Sequence, residues 1–226
     1  MRLAVIPARG GSKRIPRKNI KLFAGKPILA WSINAAIKSE CFDEIIVSTD
    51  DKEIAGVALE YGAKVPFLRP DNISDDFATT VDVVAHAIEW QQSNDKEFEE
   101  ICCIYATAPF VTPRDIKNGL KVLQDTSCDY VFSATEYEFP IQRAFRLNAN
   151  NNVEMFNPKN FNIRSQDLEK AYHDAGQFYW GKAEAWRNKK EFFSSHSTIS
   201  LLPRYRVQDI DTPDDWHYAE MLFKLL

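Results

Sequence analysis

Residues 6–27 concentrate positive charge in a chain whose formal net charge is −4. The segment reads IPARGGSKRIPRKNIKLFAGKP, and its cationic side chains are Arg9, Lys13, Arg14, Arg17, Lys18, Lys21 and Lys26. Gly10, Gly11 and Ser12 lie among them, so backbone N–H groups could also face a bound anion. The spacing fits neither a Walker A loop nor a G-x-G-x-x-G motif. The segment predicts a local site for a small polyphosphate; the alternative is a solvated basic loop.

A pair of carboxylates near the other end of the chain could bind a divalent cation. In VQDID, residues 207–211, Asp209 and Asp211 are two residues apart. An extended segment would place both carboxylates on one side, about 7 Å apart. Two carboxylates combined with phosphate oxygens suit Mg²⁺, which favours a metal site beside the basic segment. The alternative is that these acids lie on the surface or cap a helix.

Two further polar sets could contact a ligand. Arg69 lies at the end of an extended run, and Thr79 and Thr80 lie at a predicted helix start, where N-capping accounts for at least one of them. The stretch RSQDLEKAYHDAGQFYW, residues 164–180, gathers polar and aromatic side chains suited to a sugar that carries carboxylate and amide groups. Its polar members are Arg164, Gln166, Tyr172, His173, Asp174 and Gln177.

Short β-branched runs alternate with helical patterns along most of the chain. The predicted strands are 2–8, 44–50, 63–69, 100–107 and 129–136, and the predicted helices are 27–38, 51–61, 79–92 and 112–124. This alternation is typical of a mainly parallel sheet with helices on both faces. We therefore expect an α/β sandwich whose site is formed by the loops that follow the strand ends.

The alternation stops between residues 137 and 172. Here FRLNANNNVEMF places an Asn-rich turn between two short extended runs, which predicts a hairpin. The excursion could cover the site, pair with a second subunit, or lie on the surface. The pattern resumes with GQFYWG at 176–181 and ends in a helix, predicted from Thr212 as N-cap and Pro213 at the first helical position.

The composition is that of a globular protein. With 226 residues, 45% of them hydrophobic, the chain can bury one large core, and we expect a single domain over residues 1–226. The net negative charge argues against general affinity for nucleic acids or membrane surfaces. The four cysteines lack metal-binding spacing, and no apolar stretch reaches the length of a signal peptide or membrane span. We expect reduced thiols in a cytoplasmic protein.

Four motifs together carry a resemblance to a known enzyme family. They are IPARGGSKRIPRKNIKLFAGKPILAWSI, LRPDNISDDFATTVDVVAHA, RSQDLEKAYHDAGQFYWG and VQDIDTPDDW, and they span nearly the whole chain in order. They resemble the CMP-sialic acid synthetases, which are the cytidylyltransferases of nonulosonic acids. The resemblance implies a three-layer α/β/α Rossmann-like nucleotidyltransferase fold with a mainly parallel mixed sheet. It also implies CTP as donor, Mg²⁺ as cofactor, and a homodimer in which residues 137–172 reach the partner's active site.

The resemblance assigns expected roles to individual residues. Catalysis would depend on Arg9, Lys18, Asp209 and Asp211, the two aspartates being the Mg²⁺ ligands. The expected nucleotide contacts are Arg9, Gly10, Ser12, Lys13, Lys18, Asn19, Arg69 and Thr80, with Asn19 at the cytosine. The expected sugar contacts are Tyr105, Arg164, Gln166, Gln177 and Tyr179.

In the implied reaction, the anomeric hydroxyl of a nine-carbon keto-sugar acid attacks the α-phosphorus of CTP and releases pyrophosphate. Within the family, YHDAGQFYWGKA together with CCIYATAPF resembles the members that act on pseudaminic acid, so the resemblance implies this sugar. Tyr105 stands where sialic acid synthetases tend to have glutamine, which argues against N-acetylneuraminic acid. Sialic, legionaminic and ketodeoxyoctonic acids are the alternative substrates. The alternative of another class is a non-enzymatic polyanion-binding protein, which would need a wider basic face with exposed aromatic residues.

Overall fold

The computed structural model describes residues 1–75 and 78–226. Its strands are β1 (Arg2–Pro7), β2 (Leu22–Phe23), β3 (Lys26–Pro27), β4 (Glu44–Ser48), β5 (Glu100–Ile104), β6 (Tyr130–Glu136), β7 (Phe145–Leu147), β8 (Val153–Met155), β9 (Tyr172–Lys182) and β10 (Ser197–Leu201). Its α-helices are α1 (Ile28–Ser39), α2 (Lys52–Glu60), α3 (Thr80–Gln92), α4 (Pro113–Asp125), α5 (Ala183–Arg187) and α6 (Pro213–Phe223).

Within the described residues, six of these strands form one mixed sheet in the order β10-β6-β9-β5-β1-β4. β1 pairs in parallel with both β4 and β5, and β10 pairs in parallel with β6. β9 runs antiparallel between β5 and β6. The prediction of a mainly parallel mixed sheet is therefore confirmed, and the loops after β1, β4 and β5 meet at one edge, where ligands of open α/β sheets bind.

Both faces of the sheet are buried. Along β1, Ala4 and Ile6 pack with residues of α1, α2 and α4, whereas Leu3 and Val5 pack with residues of α3 and α5. This alternation explains why the strand reads as a continuous apolar run. Helices on both faces give the expected three-layer α/β/α arrangement.

Helix α6 closes one end of the sandwich. Its Trp216 packs with Phe23 and Phe110, and Thr212 accepts a hydrogen bond from the N–H of Asp215 in a capping box, with Pro213 in the first turn. The N-terminus predicted for this helix is confirmed. Since α6 follows directly after the Asp209–Asp211 segment, its cap fixes where that segment ends.

The strand predicted over residues 63–69 is wrong. Lys64 and Leu68 form only isolated bridges, to Ile46 and Thr49. Pro66 interrupts the run and has no N–H to donate to a neighbouring strand, so the segment follows the β4 edge without forming a ladder. It still delivers Arg69 to the carboxyl edge of the sheet, where the Arg69 N–H donates to the Thr49 carbonyl oxygen over 2.7 Å.

The predicted hairpin is confirmed as the antiparallel pair β7 and β8. The side chain of Asn148 accepts hydrogen bonds from the N–H groups of Asn150 and Asn152, and Asn151 has a φ of 60°, which asparagine tolerates well. The excursion carries many exposed apolar side chains. They include Phe139, Phe145, Leu147, Val153, Phe156 and Phe161, each at least 60% exposed.

The cysteines fit the expectation of inert thiols. All four are free, and Cys41, Cys102 and Cys103 are buried. Burial raises the pKa of the Cys102 and Cys103 thiols well above the usual value, which disfavours reactive thiolates. None of the helices in residues 1–75 and 78–226 has the length and apolar character needed to cross a bilayer.

Candidate active site

The loop after β1 is held against the start of α2 by ionic contacts. Arg17, which has a φ of 56°, directs its guanidinium to the carboxylates of Asp51 and Glu53, and Asp51 also caps α2. A Cβ atom on Gly10 would lie 2.7 Å from Asp51 Oδ2, so only glycine allows this close approach. These contacts fold the loop back over the carboxyl edge of the sheet.

The loop and its neighbours line a cavity of about 350 Å³, which we call the basic cavity. The cations that line it are Arg9, Lys13, Arg14, Lys18 and Arg69. The other lining residues for which a role was predicted are Ser12, Asn19, Thr80, Tyr105 and Asp211. The volume and the excess of positive charge suit a small polyphosphate compound.

The structure sorts the seven cations of the segment into two groups. Arg17 pairs with acids, Lys21 lies over the Trp216 ring at 4.5 Å, and Lys26 lies over the Trp31 ring at 3.6 Å. These three residues do not line the basic cavity, whereas Arg9, Lys13, Arg14 and Lys18 do. The seven positive charges are therefore not one diffuse patch.

Arg69 is the most deeply buried cation of the basic cavity, with 5% of its surface exposed. Burial lowers its pKa, the Asp50 carboxylate opposes that shift, and the nearby Arg9 charge lowers it further. Asp50 Oδ1 lies 3.6 Å from Arg69 and also accepts the Gly10 N–H over 3.0 Å. Two guanidinium groups close enough to repel each other are stabilised by an anion between them.

Asp211 lies opposite this loop and is paired with its cations. Arg14 is 2.8 Å from one carboxylate oxygen and Lys18 is 3.3 Å from the other. Lys18 also donates to the carbonyl oxygen of Ile210 over 2.7 Å. Partial removal from water and the Asp211 charge both raise the pKa of Asp209. The two carboxylates are thus near enough to repel, while Ile210 between them is buried in the core cluster that contains Trp216.

A buried ion pair holds the turn that precedes Asp209. Arg206 donates to both carboxylate oxygens of Asp115, over 2.5 and 2.9 Å, and Asp115 also accepts from the N–H and hydroxyl of Thr112. Gln177 donates to the Arg206 carbonyl oxygen over 2.6 Å. This network fastens the turn to α4 and β9, which positions the acidic segment beside the loop.

Replacing Arg206 with methionine is expected to lower the free energy of unfolding by about 3–5 kcal/mol, because it leaves the Asp115 carboxylate buried without its cation. Burial alone would raise the pKa of Asp115, but the bonds from Arg206 and Thr112 outweigh it and hold that pKa below its usual value. The pair therefore stabilises the fold above about pH 4 and loses its effect as pH falls through the folded-state pKa.

Urea unfolding at pH 7 and at decreasing pH measures this effect. Arg204→Met is the matched control, since Arg204 is exposed and lies in the same turn. A loss below about 1 kcal/mol for Arg206→Met would show that the pair does not anchor the turn.

A second cavity, of about 510 Å³, adjoins the basic cavity. We call it the tyrosine cavity, and its lining includes Tyr105, His173, Asp174, Tyr179, Gln208 and Asp209. Tyr105 lines both cavities. Asp209 lines the tyrosine cavity and Asp211 the basic cavity, so the two carboxylates lie where the cavities meet. Such a pair of adjoining cavities can hold two substrates side by side.

Comparisons with known proteins identify the family of this chain. A family model described as cytidylyltransferase matches residues 3–215. The chain belongs to this cytidylyltransferase family. It is 51% identical over 223 residues to the pseudaminic acid cytidylyltransferase of Campylobacter jejuni, an alignment that covers 99% of this chain and 96% of the relative.

More distant relatives extend this comparison. The cytidylyltransferase is 35% identical to the CMP-N,N'-diacetyllegionaminic acid synthase of Legionella pneumophila, over 99% of this chain and 96% of that protein. Among solved structures, the complex of CMP:2-keto-3-deoxy-manno-octonic acid synthetase with CTP superposes with a TM-score of 0.71. The identity is 17%, and the match covers 99% of this chain and 98% of that one. This likeness shows the shared nucleotidyltransferase fold.

The backbone N–H groups of the loop of this cytidylyltransferase have partners within the chain. The N–H of Gly10 donates to Asp50 and the N–H of Ser12 donates to the Gly10 carbonyl oxygen, so neither is directed at a bound anion. Gly10 is required instead by its close approach to Asp51. Ser12, Lys13 and Lys18 line the basic cavity, whereas Gly10 does not, and its contact with the nucleotide stays a prediction.

Three of the predicted sugar contacts lie away from both cavities. Arg164 is exposed and pairs with Asp167 over 2.7 Å, and Gln166 lines a separate groove within the excursion. Gln177 is 2% exposed, and its side-chain N–H donates to the Arg206 carbonyl oxygen. Its Oε1 has no hydrogen-bond partner among the described residues. Within one chain these residues are not placed to touch a ligand in either cavity, and their sugar contacts stay predictions.

Asn19 and Thr80 both line the basic cavity, and their contacts with the nucleotide stay predictions. Asn19 is buried and donates to the Arg9 carbonyl oxygen over 2.9 Å. Thr79 is the N-cap of α3, where its side chain accepts the N–H of Asp82. The Thr80 hydroxyl lies 3.4 Å from the Tyr105 hydroxyl. Asp76 and Phe77, which belong to the second resemblance motif, lie outside the described residues.

Sequence reasoning missed two residues that shape the basic cavity. Asp50 accepts the Gly10 N–H and approaches Arg69, and the signal for it was an acid two residues after the end of β4. Arg206 carries no local signal, because its partner Asp115 lies 91 residues away in sequence.

Proposed function

We propose that the protein transfers CMP from CTP to the anomeric hydroxyl of pseudaminic acid and releases pyrophosphate. The observation that carries this proposal is the pair of adjoining cavities, one basic and one lined by tyrosines, with Asp209 and Asp211 where they meet. The name of the Campylobacter relative, at 51% identity, supports the choice of sugar.

CTP occupies the basic cavity in this proposal. Arg9, Lys13 and Lys18 neutralise the phosphates, and Asn19 contacts the cytosine. The bond between the sugar oxygen and the α-phosphorus forms while the bond from that phosphorus to the pyrophosphate oxygen breaks, and the hydroxyl proton passes to solvent. The charge that develops on the leaving pyrophosphate is stabilised by the cations of the loop, so the protein contributes alignment and charge neutralisation.

Asp209 and Asp211 are the residues that would hold Mg²⁺. Their donor set fits this ion, because two carboxylates leave positions for phosphate oxygens and water, and Mg²⁺ is usually bound in this way. No group of three or more His, Cys, Asp or Glu side chains with metal-binding geometry occurs in the described part of the chain, so the nucleotide would supply further ligands. When bound, Mg²⁺ would supply positive charge that offsets the negative charge of the phosphates.

We expect kcat/KM for pseudaminic acid to exceed that for N-acetylneuraminic acid by at least about 100-fold. Pseudaminic acid carries a second acylamino group and a terminal methyl where N-acetylneuraminic acid carries hydroxyls. The Tyr105 and Tyr179 rings, 5.3 Å apart, offer an apolar wall to such groups, and sugar hydroxyls placed against it would lose water without replacement bonds.

CTP-dependent pyrophosphate release with the two sugars measures this preference, and CMP-legionaminic acid formation is compared in the same assay. Comparable kcat/KM values for both sugars would return the protein to the general sialic acid class. Absence of CTP-dependent release with every sugar would favour the polyanion-binding alternative.

A homodimer is part of the proposal. The exposed apolar side chains of residues 137–172 form the surface that a second copy would cover, since an area of this kind is rare on monomers. Dimer formation would also bring the excursion, with Arg164 and Gln166, toward the other copy's active site. Sedimentation is expected to give twice the chain mass of 26.0 kDa, and Phe161→Asp to give the monomer mass. A monomeric wild type would contradict this.

The cell compartment follows from the same reaction. CTP is a cytoplasmic metabolite and free cysteines persist in reducing compartments, so we place the protein in the cytoplasm. Fractionation of cells that produce the protein tests this placement.

A further inference from the structure

We propose that Asp174 determines which sugar enters the tyrosine cavity, by accepting a hydrogen bond from an acylamino N–H of the sugar and turning the sugar carboxylate toward the basic cavity. This inference rests on the proposed function and names how that site would recognise its acceptor. It concerns a residue for which the resemblance implied no role.

The Asp174 carboxylate is held in place from two sides. Its Oδ1 accepts the N–H of Gly176 over 2.8 Å, and its Oδ2 accepts the hydroxyl of Tyr179. These contacts occur where the register of β6 against β9 shifts, between Phe132 and Ala134, and Gly176 has a φ of 60°. An irregular strand beside a site commonly redirects a side chain, and here it presents Asp174 to the tyrosine cavity.

The carboxylate retains capacity for a ligand. A carboxylate offers about four acceptor positions, of which Gly176 and Tyr179 occupy one each. The Tyr179 ring packs against the Tyr105 ring, with centroids 5.3 Å apart, and the Tyr105 hydroxyl lies 3.4 Å from the Thr80 hydroxyl. The two hydrogen bonds to Asp174 and the packing of Tyr179 on Tyr105 fix the acceptor before a sugar binds.

The surroundings of Asp174 match an acylamino group. Tyr105, Tyr179 and Val207 supply apolar surface in the same cavity. An acylamino group has an N–H donor for the carboxylate and a methyl that packs on the rings. A hydroxyl provides the donor only, which leaves the apolar surface without contact.

The charges of the two cavities orient a sugar acid. Asp174 and Asp209 line the tyrosine cavity, and no Lys or Arg lines it in the described part of the chain. Five cations line the basic cavity. In a 2-keto-sugar acid the anomeric carbon bears both the carboxylate and the reacting hydroxyl. Repulsion from Asp174 and attraction to the cations would therefore bring the anomeric hydroxyl to the junction with CTP.

The test compares steady-state kinetics of Asp174→Asn with the wild type. We expect KM for pseudaminic acid to rise about 10- to 100-fold while KM for CTP changes less than about twofold, because the variant loses the charged acceptor but not the nucleotide site. The ratio of kcat/KM for pseudaminic acid to that for N-acetylneuraminic acid should fall about tenfold. A purely structural role would not change this ratio.

Asp129→Asn is the matched control. Asp129 lies just before β6, at the end of that strand away from Asp174, and pairs with Lys182 and Lys190. The substitution removes the charge of one carboxylate that lines neither cavity. Its kinetic constants should stay within about twofold of the wild type.

If Asp174→Asn fails to fold, Tyr179→Phe removes the tether alone, with Tyr130→Phe as control because the buried Tyr130 hydroxyl has no partner in the described chain. An unchanged sugar KM and an unchanged substrate ratio in a folded Asp174→Asn or Tyr179→Phe variant would overturn this inference alone. A wild type that releases pyrophosphate with none of the sugar acids overturns the proposed function and the inference with it.

Discussion

Replacing Asp211 with asparagine is expected to lower kcat by at least about 100-fold while the protein keeps its fold. Asp211 lies where the two cavities meet, within 2.8 Å of Arg14 and 3.3 Å of Lys18. A neutral amide releases both cations and removes one of the two carboxylates proposed to hold Mg²⁺. The loss falls on charge stabilisation in the transition state, so kcat should fall more than the affinity for CTP. Pyrophosphate release at saturating CTP and Mg²⁺ measures kcat.

The control for this substitution is Asp214→Asn. Asp214 is exposed in the first turn of α6, three residues further along the chain, and lines neither cavity. Its kcat should stay within about twofold of the wild type, and the thermal unfolding curves of both variants should overlay that of the wild type. Near-normal turnover of Asp211→Asn at saturating Mg²⁺ would remove this carboxylate from the mechanism.

The layered fold could be predicted because its elements have local signals. β1 and β5 are continuous apolar runs, and Thr112 and Thr212 start helices through capping boxes with Pro next in the chain. Residues 63–69 misled the prediction because their apolar content resembles a strand, whereas Pro66 limits pairing. β9 begins at Tyr172, earlier than the predicted GQFYWG run, because His173 and Asp174 pair with β6 before the register shifts.

The site could be predicted in part, since loops that follow adjacent parallel strands converge. The basic segment and the Asp209–Asp211 pair were identified from charge and spacing, and the structure brings Lys18 and Asp211 together across 193 residues. The contacts of Arg206 with Asp115 and of Tyr179 with Asp174 depend on how the turn and the irregular strand pack. No periodicity encodes such contacts, so they emerged only from the three-dimensional arrangement.

Arg9→Ala is expected to lower kcat/KM for CTP by at least about 100-fold, whereas Lys21→Ala should lower it by less than about threefold. Arg9 lies two residues after the end of β1 and lines the basic cavity. Its charge lowers the pKa of Arg69, so the two guanidinium groups are close, and an anion bound in the cavity would contact both. Lys21 lies over the Trp216 ring and away from the basic cavity. Its loss should cost about 0.5–1 kcal/mol of folding stability rather than catalysis.

Salt dependence separates an ordered site from diffuse charge. Arg9→Ala and Lys21→Ala each remove one positive charge from the same segment. If the loop acted only through its net charge, the two variants would lower kcat/KM for CTP equally. In that case raising ionic strength should weaken CTP binding about as much as either substitution, because charges exposed to solvent are screened within about 10 Å at 0.1 M salt. Arg69, at 5% exposure, is shielded from such screening and should keep most of its effect in an ordered site. Arg9→Ala and Lys21→Ala could lower kcat/KM for CTP equally, and raised ionic strength could weaken CTP binding by a similar factor. That result would show that the geometry of the basic cavity does not select its anion.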